Sequence, residues 1–331
     1  MNPIALPPSP LDGAAGPSLD GMLPLPQWGL IRAQGTEARS FLHGQLTQDM
    51  LGLTADRARL AGYCSAKGRL LASFVVWSPD SDTVFLACSA DLLPPTLKRL
   101  TMFVLRAKCR LADVSAERPL WGLAGASAAQ HLGASLDAPP WSLQPVAEGT
   151  LIRLPDALLA SGQTWPRWLF AAGSNTPVPA RLAARAALSP ALWQYLEATS
   201  GVVRITAATS EQFVPQMVNL ELVGGVDFQK GCYPGQEVVA RSQYRGSLKR
   251  RAQLLTGTVP LQPGQEVFHS ADPGQPAGRV ALAGQGPEGR HVALVELKLA
   301  ALAGGSLHLG TAEGPMLAPS ALPYALPTEV P

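Results

Sequence analysis

The sequence predicts an α+β protein with an all-β C-terminal quarter, on three observations. Before residue 250, β-like runs alternate with segments of helical apolar periodicity. After it, short β-like runs separated by Gly/Pro turns take over, the texture of a small antiparallel barrel or sandwich. Hydrophobic residues make up 47% of the 331 positions, enough to bury a core in two or three domains.

Residues 1–25 are rich in Pro, Gly and Ser and read as a flexible leader, with order expected from about Pro26. "WGLIRAQG" follows as a strand. "TEARSFLHGQLTQDM" starts a helix, with Thr36 as N-cap and Glu37 in the first turn. Residues 57–90 read as two or three strands, turning at Lys67-Gly68 and at Pro79–Asp82. In "ADLLPPTLKRLTMFVLRAK", Leu93, Leu97, Leu100 and Val104 share one helical face. "CRLADVS" and "PLWGLAG" return to strand, and "SAAQHLG" is a short helix closed by glycine. Residues 134–150 read as a loop, "TLIRLP" and "RWLFAA" as strands, and "PARLAARAALSPALWQYLEATSG" as mostly helix. Within it Ser189 caps a second helix and Pro190 fits the first turn. Beyond Arg251, five β-like runs end with "SLHLG".

Composition narrows the function. A net charge of +2 argues against a protein whose main task is coating nucleic acid. The cysteines (64, 88, 109, 232) form no Cys-x-x-Cys pair and the five histidines are scattered, so the spacing shows no zinc site or stable cluster framework. So few cysteines suit a reducing cytoplasm. No segment reaches the roughly 20 apolar residues that span a bilayer. The N-terminus lacks the basic region of a secretory signal, and no arginine precedes Arg32, against a mitochondrial transit peptide.

Charge concentrates in "FQKGCYPGQEVVARSQYRGSLKRR", residues 228–251. A thiolate at Cys232 would be favoured by the neighbouring Lys230 ammonium, and Gly231 and Gly235 permit a tight turn or close approach to a ligand. A buried structural cysteine in a Gly-Pro loop is the alternative. Arg241, Arg245, Lys249, Arg250 and Arg251 make either a solvated basic loop or an anion site, with Tyr233 and Tyr244 available to stack on a flat ring. The same interleaving suits single-stranded nucleic acid, which the modest overall charge ranks second. Glu197 ends an apolar helix, where a carboxylate opposes the helix dipole. Held in a pocket, it could accept hydrogen bonds from a ring N–H and an exocyclic amine.

"KGCYPGQEVVAR" (230–241) resembles the signature of the YgfZ family, folate-binding proteins connected with iron–sulfur cluster maintenance. "FVPQMVNLELVGGVDFQKGCY", "YRGSLKRR", "FLHGQLTQDM" and "CSAKGRLLASF" fit the same family. That family is similar in fold to T-protein, the tetrahydrofolate-dependent aminomethyltransferase of the glycine cleavage system. The resemblance implies three domains in a ring around a central channel: a folate-binding region of two interleaved α+β subdomains (26–250) and a C-terminal β-barrel (251–331). It implies tetrahydrofolate or a derivative as cofactor, with Glu197 holding the pterin and Gln216 and Asn219 beside the channel. Lys230, Gly231, Cys232, Tyr233, Gly235, Gln236 and Glu237 carry the motif. Cys232 is its reactive thiol, at the mouth of the channel, with Lys230 beside it, and Arg241 is suited to the glutamyl carboxylates.

The departure from T-protein is as informative. Where that enzyme carries an aspartate that positions the folate nitrogen, "GRLLASFVV" has Ala72 and Ser73, neither of which can act as a carboxylate. The resemblance therefore implies a retained pterin pocket without glycine-cleavage chemistry. It points to an accessory factor for assembly or repair of [4Fe–4S] enzymes, meeting its partners transiently, holding no metal stably and acting as a monomer. A folate-dependent transferase and an RNA-modification protein with the same domain are the alternatives.

Overall fold

The computed structural model describes residues 19–174, 188–244 and 248–327. The helix expected over 179–187 and Arg245 lie outside the described residues, as does most of the leader. The chain folds into two five-stranded antiparallel sheets and a closed six-stranded barrel.

The first sheet has the order β1-β7-β10-β9-β8, from β1 (Gly21–Pro24), β7 (Leu120–Ala124), β8 (Leu143–Val146), β9 (Gly149–Leu158) and β10 (Thr164–Ala172). Two expectations are corrected here. Order begins before Pro26, because Gly21–Pro24 pairs with Trp121–Ala124. The loop expected over 134–150 contains β8, paired with Gly149–Ile152. Its sequence, LQPV, is too short and proline-interrupted to show a two-residue period.

The second sheet has the order β3-β4-β5-β2-β6, from β2 (Trp28–Gln34), β3 (Arg59–Cys64), β4 (Leu70–Trp77), β5 (Thr83–Ser89) and β6 (Arg110–Asp113). β5 is central and buried along its whole length, which is why TVFLACS shows almost no polar alternation. The helix α1 (Ala38–His43) starts after Glu37 rather than Thr36, and no side chain caps it. α2 (Leu93–Val104) opens on two prolines, which lack N–H groups that the first turn could not satisfy anyway. Leu93 and Leu100 are buried, and Leu97 and Val104 pack partly against the core, as the periodicity predicts. A third helix, α3 (Ala126–Gln130), follows β7.

The barrel runs β11-β14-β13-β12-β15-β16, from β11 (Arg250–Gly257), β12 (Glu266–His269), β13 (Gly278–Gln285), β14 (His291–Lys298), β15 (Leu307–Leu309) and β16 (Met316–Ser320). β16 pairs with β11 and closes the barrel. The sequence reading missed β16 because MLAPS is mostly exposed and carries a proline.

α4 (Pro190–Thr199) joins the bodies, with Ser189 as N-cap accepting the Leu192 N–H at 3.2 Å. Gly122 in β7 and Gly284 in β13 let it sit closely against both sides. A Cβ at 122 would fall 2.7 Å from the Trp193 ring, and one at 284 only 2.3 Å from the Tyr195 backbone nitrogen. Backbone cannot step aside as a flexible side chain can. Gly284→Ala is therefore expected to destabilise by about 1–3 kcal/mol through overpacking, read as a lower urea midpoint at unchanged slope.

A second join forms at the 3₁₀ turn Pro215–Val218 and at Asn219, which is held in the left-handed region at φ 57°. Asn219 donates to the Ala252 carbonyl (2.9 Å) and accepts from Arg251 (3.2 Å), and Arg251 is paired with buried Glu221 at 2.6 Å. Burial pushes the Glu221 carboxyl up, against the pull of Arg251. No helix among the described residues is long and apolar enough to cross a membrane.

Candidate functional site

Glu197 lies in the last turn of α4 and is buried. Gly201, at φ +72°, reverses the chain just after the helix and brings Val202, Val203 and Arg204 back alongside it. Arg204 then forks onto the carboxylate, Nε to Oε1 at 3.2 Å and Nη2 to Oε2 at 3.3 Å. Its Nη1 donates to Ser89 at 2.8 Å, and its guanidinium lies 5.1 Å from the Trp28 ring.

A second guanidinium, Arg167 of β10, is buried beside this pair. It donates to the Pro155 carbonyl at 3.1 Å and lies 5.4 Å from the Trp193 ring. Burial pushes Arg167 down to about 10, against the pull of the Glu197 and Asp156 carboxylates. Of the charged residues that line the adjoining cavity, two are cations and one is an anion.

These groups line a small cavity of about 40 Å³ whose walls include Trp28, Phe74, Trp141 and Val203. Ser73 also lines it, its Oγ accepting the Ile205 N–H at 2.9 Å. Two features suit a flat heterocycle. Trp28 Nε1 is buried without an acceptor. The Glu197 carboxylate gives two of its roughly four lone-pair sites to Arg204, leaving others for ring N–H donors.

The cysteine motif sits elsewhere. Among the cavity's lining residues, none comes from 216–241. This corrects the expectation that Cys232 and Glu197 share one opening. Cys232 is exposed, in a loop leading into α5 (Gln236–Tyr244), a helix the sequence reading had treated as loop. Lys230 is turned inward, its ammonium donating to the carbonyls of His43 and of Leu46 (2.7 Å) and lying 4.9 Å from the buried Tyr233 ring. Burial pushes Lys230 down to about 8, against the pull of Asp49, Asp227 and Cys232.

His43 borders the same loop. Its Nδ1 lies 3.0 Å from Asp49 Oδ1, and its Nε2 would stand 3.4 Å from a Cβ at Gly231. Burial works to raise the Asp49 carboxyl, but the N–H groups of Leu51 and Gly52 and the Arg59 guanidinium hold it below the usual range.

The other motif residues brace this loop. Gly235, at φ +80°, is pressed against the Ser65–Gly68 turn, where a Cβ would fall 2.4 Å from the Ser65 carbonyl. Gln216 is buried and donates to the Val239 carbonyl of α5 at 2.8 Å. Gln236 is half-buried, and Glu237 and Arg241 are exposed. Gln216 and Asn219 tie the turn at 215–219 to α5 and the barrel rather than lining the cavity. One hairpin links the two places: its turn at Gly68 touches the cysteine loop, and Ser73, five residues on, lines the cavity. That is roughly 16 Å of strand.

Comparison with known proteins decides the family. No protein-family model matches the chain. It is 37% identical over 260 residues to "tRNA-modifying protein YgfZ" of Edwardsiella ictaluri, covering 73% of this chain and 72% of that one. The protein of that name from Escherichia coli O157:H7 is 32% identical over 246 residues, covering 73% of each. The chain belongs to the YgfZ family. The YgfZ fold here is that of T-protein. The glycine cleavage system aminomethyltransferase T of Bartonella henselae superposes with a TM-score of 0.67 at 16% identity, covering 92% of this chain and 86% of that one.

The sequence reading of this YgfZ chain found Glu197 but missed Arg167, Arg204, Trp28 and Trp141. The available signal was a single arginine inside an apolar run, as in "GVVRIT" and "WPRWLF". Such a charge must find a partner when its neighbours are buried.

Proposed function

We propose that the chain is a reduced-folate-binding accessory protein in tRNA modification and the upkeep of iron–sulfur enzymes, with Cys232 as its reactive thiol. The observation that carries the reading is the aromatic-walled cavity holding a partly engaged Glu197 carboxylate and an unpaired Trp28 N–H. Glu197 would accept from the ring N–H and exocyclic amine of a pterin, and Trp28 Nε1 would donate to a ring acceptor. The surplus positive charge from Arg167 and Arg204 favours an anionic ligand. Tetrahydrofolate, when bound, supplies a one-carbon carrier; the protein's part is to bind and orient it away from water. The tRNA connection follows the names of the relatives, and the iron–sulfur connection the resemblance of the cysteine motif.

Titration with 5-formyltetrahydrofolate tests the pocket. Glu197→Gln is expected to weaken binding by about 10-fold or more, since a buried charged hydrogen bond is worth about 1.5–3 kcal/mol. Equal affinity of the two proteins would remove Glu197 from the site. Cys232→Ala, at an exposed position, is expected to leave the folate affinity and thermal midpoint unchanged while abolishing support of tRNA-modifying and [4Fe–4S] enzymes in cells that carry only this variant. Full enzyme activity in those cells would refute the thiol's role.

Aminomethyl transfer is the second reading, favoured by the fold alone. Ala72 is buried and Ser73 already accepts a backbone N–H, so neither supplies a carboxylate to the cavity. Purified protein is expected not to transfer a methylene group from a lipoyl-carried intermediate to tetrahydrofolate. Turnover in that assay would reverse the choice.

A further inference from the structure

We propose that the C-terminal end of α2 and the segment after it, residues 98–110, form an RNA-docking surface that delivers a nucleotide to the Cys232 loop. The inference rests on the tRNA-directed part of the reading above.

Charge is the first observation. From Leu92 to Ala112 the chain carries Lys98, Arg99, Arg106, Lys108 and Arg110 and no acidic residue. All five cations are exposed. In a chain with a net charge of +2, this is a local concentration of positive field.

Exposed apolar surface is the second. Met102, Phe103 and Leu105 are 65%, 45% and 87% exposed on the same segment. The two-residue run at 102–103 continues the helix beyond its buried face, and Leu105 ends it at φ 44°, an uncommon conformation for a side chain of this size. Arg99 lies 5.8 Å from the Phe103 ring. Cations around an exposed aromatic ring are what a single strand needs: phosphates meet the cations and a base stacks on the ring. An anionic membrane or an acidic peptide would use the charges but has no need of a stacking ring.

Position is the third. The backbone N–H of Lys108 donates to the Glu37 carboxylate at 2.6 Å, and the Glu37 N–H donates to the Lys108 carbonyl at 3.2 Å. Glu37 is the acid that faces this surface. It also immediately precedes α1, whose last residue, His43, gives its carbonyl to Lys230 and faces Gly231. α1, about 9 Å long, thus runs from Glu37, which meets the Lys108 backbone, to His43, which borders the Cys232 loop.

The test is binding of fluorescently labelled bulk tRNA to the full chain. With three to five phosphate contacts to a single strand, affinity is expected to fall about 20- to 130-fold between about 50 and about 200 mM salt. The triple variant Lys98→Glu/Arg99→Glu/Arg106→Glu is expected to lose about tenfold or more and to flatten the salt dependence. Phe103→Ala is expected to weaken binding about fivefold or more at an unchanged salt slope, because stacking is not ionic. All four positions are exposed, so circular dichroism and the thermal midpoint should match wild type. Undiminished tRNA affinity in both variants would overturn the proposal, as would tighter binding to phosphatidylglycerol vesicles or polyglutamate than to tRNA at the same salt. Loss of tRNA binding with 5-formyltetrahydrofolate affinity intact supports it. Wild type that binds tRNA through these residues but no folate also supports it, and removes the folate part of the functional reading instead.

Discussion

Glu197→Ala is expected to destabilise the protein by about 3–5 kcal/mol, because it leaves buried positive charge uncompensated. The reason lies in what surrounds the carboxylate. Arg204 gives Glu197 both prongs of its fork, and only Ser89 would remain as its hydrogen-bond partner. Arg167 keeps the Pro155 carbonyl and the nearby Asp156 but loses the larger of the two anionic supports for its charge, so burial would push it further down. Glu197→Gln keeps the shape and one acceptor oxygen and should cost less, about 1–3 kcal/mol. Urea denaturation of the three proteins checks the order, wild type above Gln above Ala. If Glu197→Ala falls within about 1 kcal/mol of wild type, the buried pair is not what holds α4 to the 200–204 segment. The result also decides how folate titrations are read: lost binding in the Ala variant mixes a damaged pocket with a loosened fold, whereas the Gln variant isolates the acceptor.

The same pair shows what the sequence could and could not reveal. Strands such as Trp28–Gln34 and His291–Lys298 were legible because each is a run of β-formers bounded by turn residues. α4 was legible through Ser189 and Pro190, whose cap and first-turn roles the structure reproduces. Its last residues were harder. Glu197 was recognisable as an odd charge on an apolar helix, but its partner comes seven residues later, after a glycine reversal that no periodicity announces. Arg167 comes from another sheet altogether. β1 and β16 were missed because short, proline-containing strands are defined by the strands they pair with.

The cysteine loop gives the opposite lesson. Its residues were picked out by their chemistry, and their chemistry is largely spent on structure. Lys230 looked like a free ammonium beside a thiol, and it is instead the plug of a turn, satisfying two main-chain carbonyls. Gly235 offered either close approach to a ligand or a tight turn, and it takes the turn, at φ +80° against the Ser65–Gly68 turn. α5 was hidden because only Val239 on it is buried, so it carries no apolar stripe. Cys232 alone keeps the exposure its reactive reading requires.

Lys230→Met should therefore behave as a fold variant before it behaves as an activity variant. It removes the donor from the buried Leu46 carbonyl and the partly buried His43 carbonyl; an unsatisfied acceptor costs about 1–3 kcal/mol, less where water reaches it, so a loss of about 2–4 kcal/mol is expected at neutral pH. The pH dependence gives a sharper signature. Burial lowers Lys230 from 10.5 in the unfolded chain to about 8 in the fold. Between those values the unfolded chain binds more protons, so wild-type stability gains from this group as pH rises from about 8 to about 10.5. The gain is complete above the unfolded value and is lost as pH falls through about 8, where the ammonium is buried with its charge. Methionine carries no proton, so the variant lacks this contribution. The stability gap between wild type and Lys230→Met should widen across that interval, because a neutral amine still donates to both carbonyls without the cost of burying charge. Urea midpoints of both proteins at pH 7, 8.5 and 10 measure it. A gap that stays constant would mean that Lys230 titrates as a solvent-exposed lysine, and the loop that presents Cys232 would then be held by other contacts.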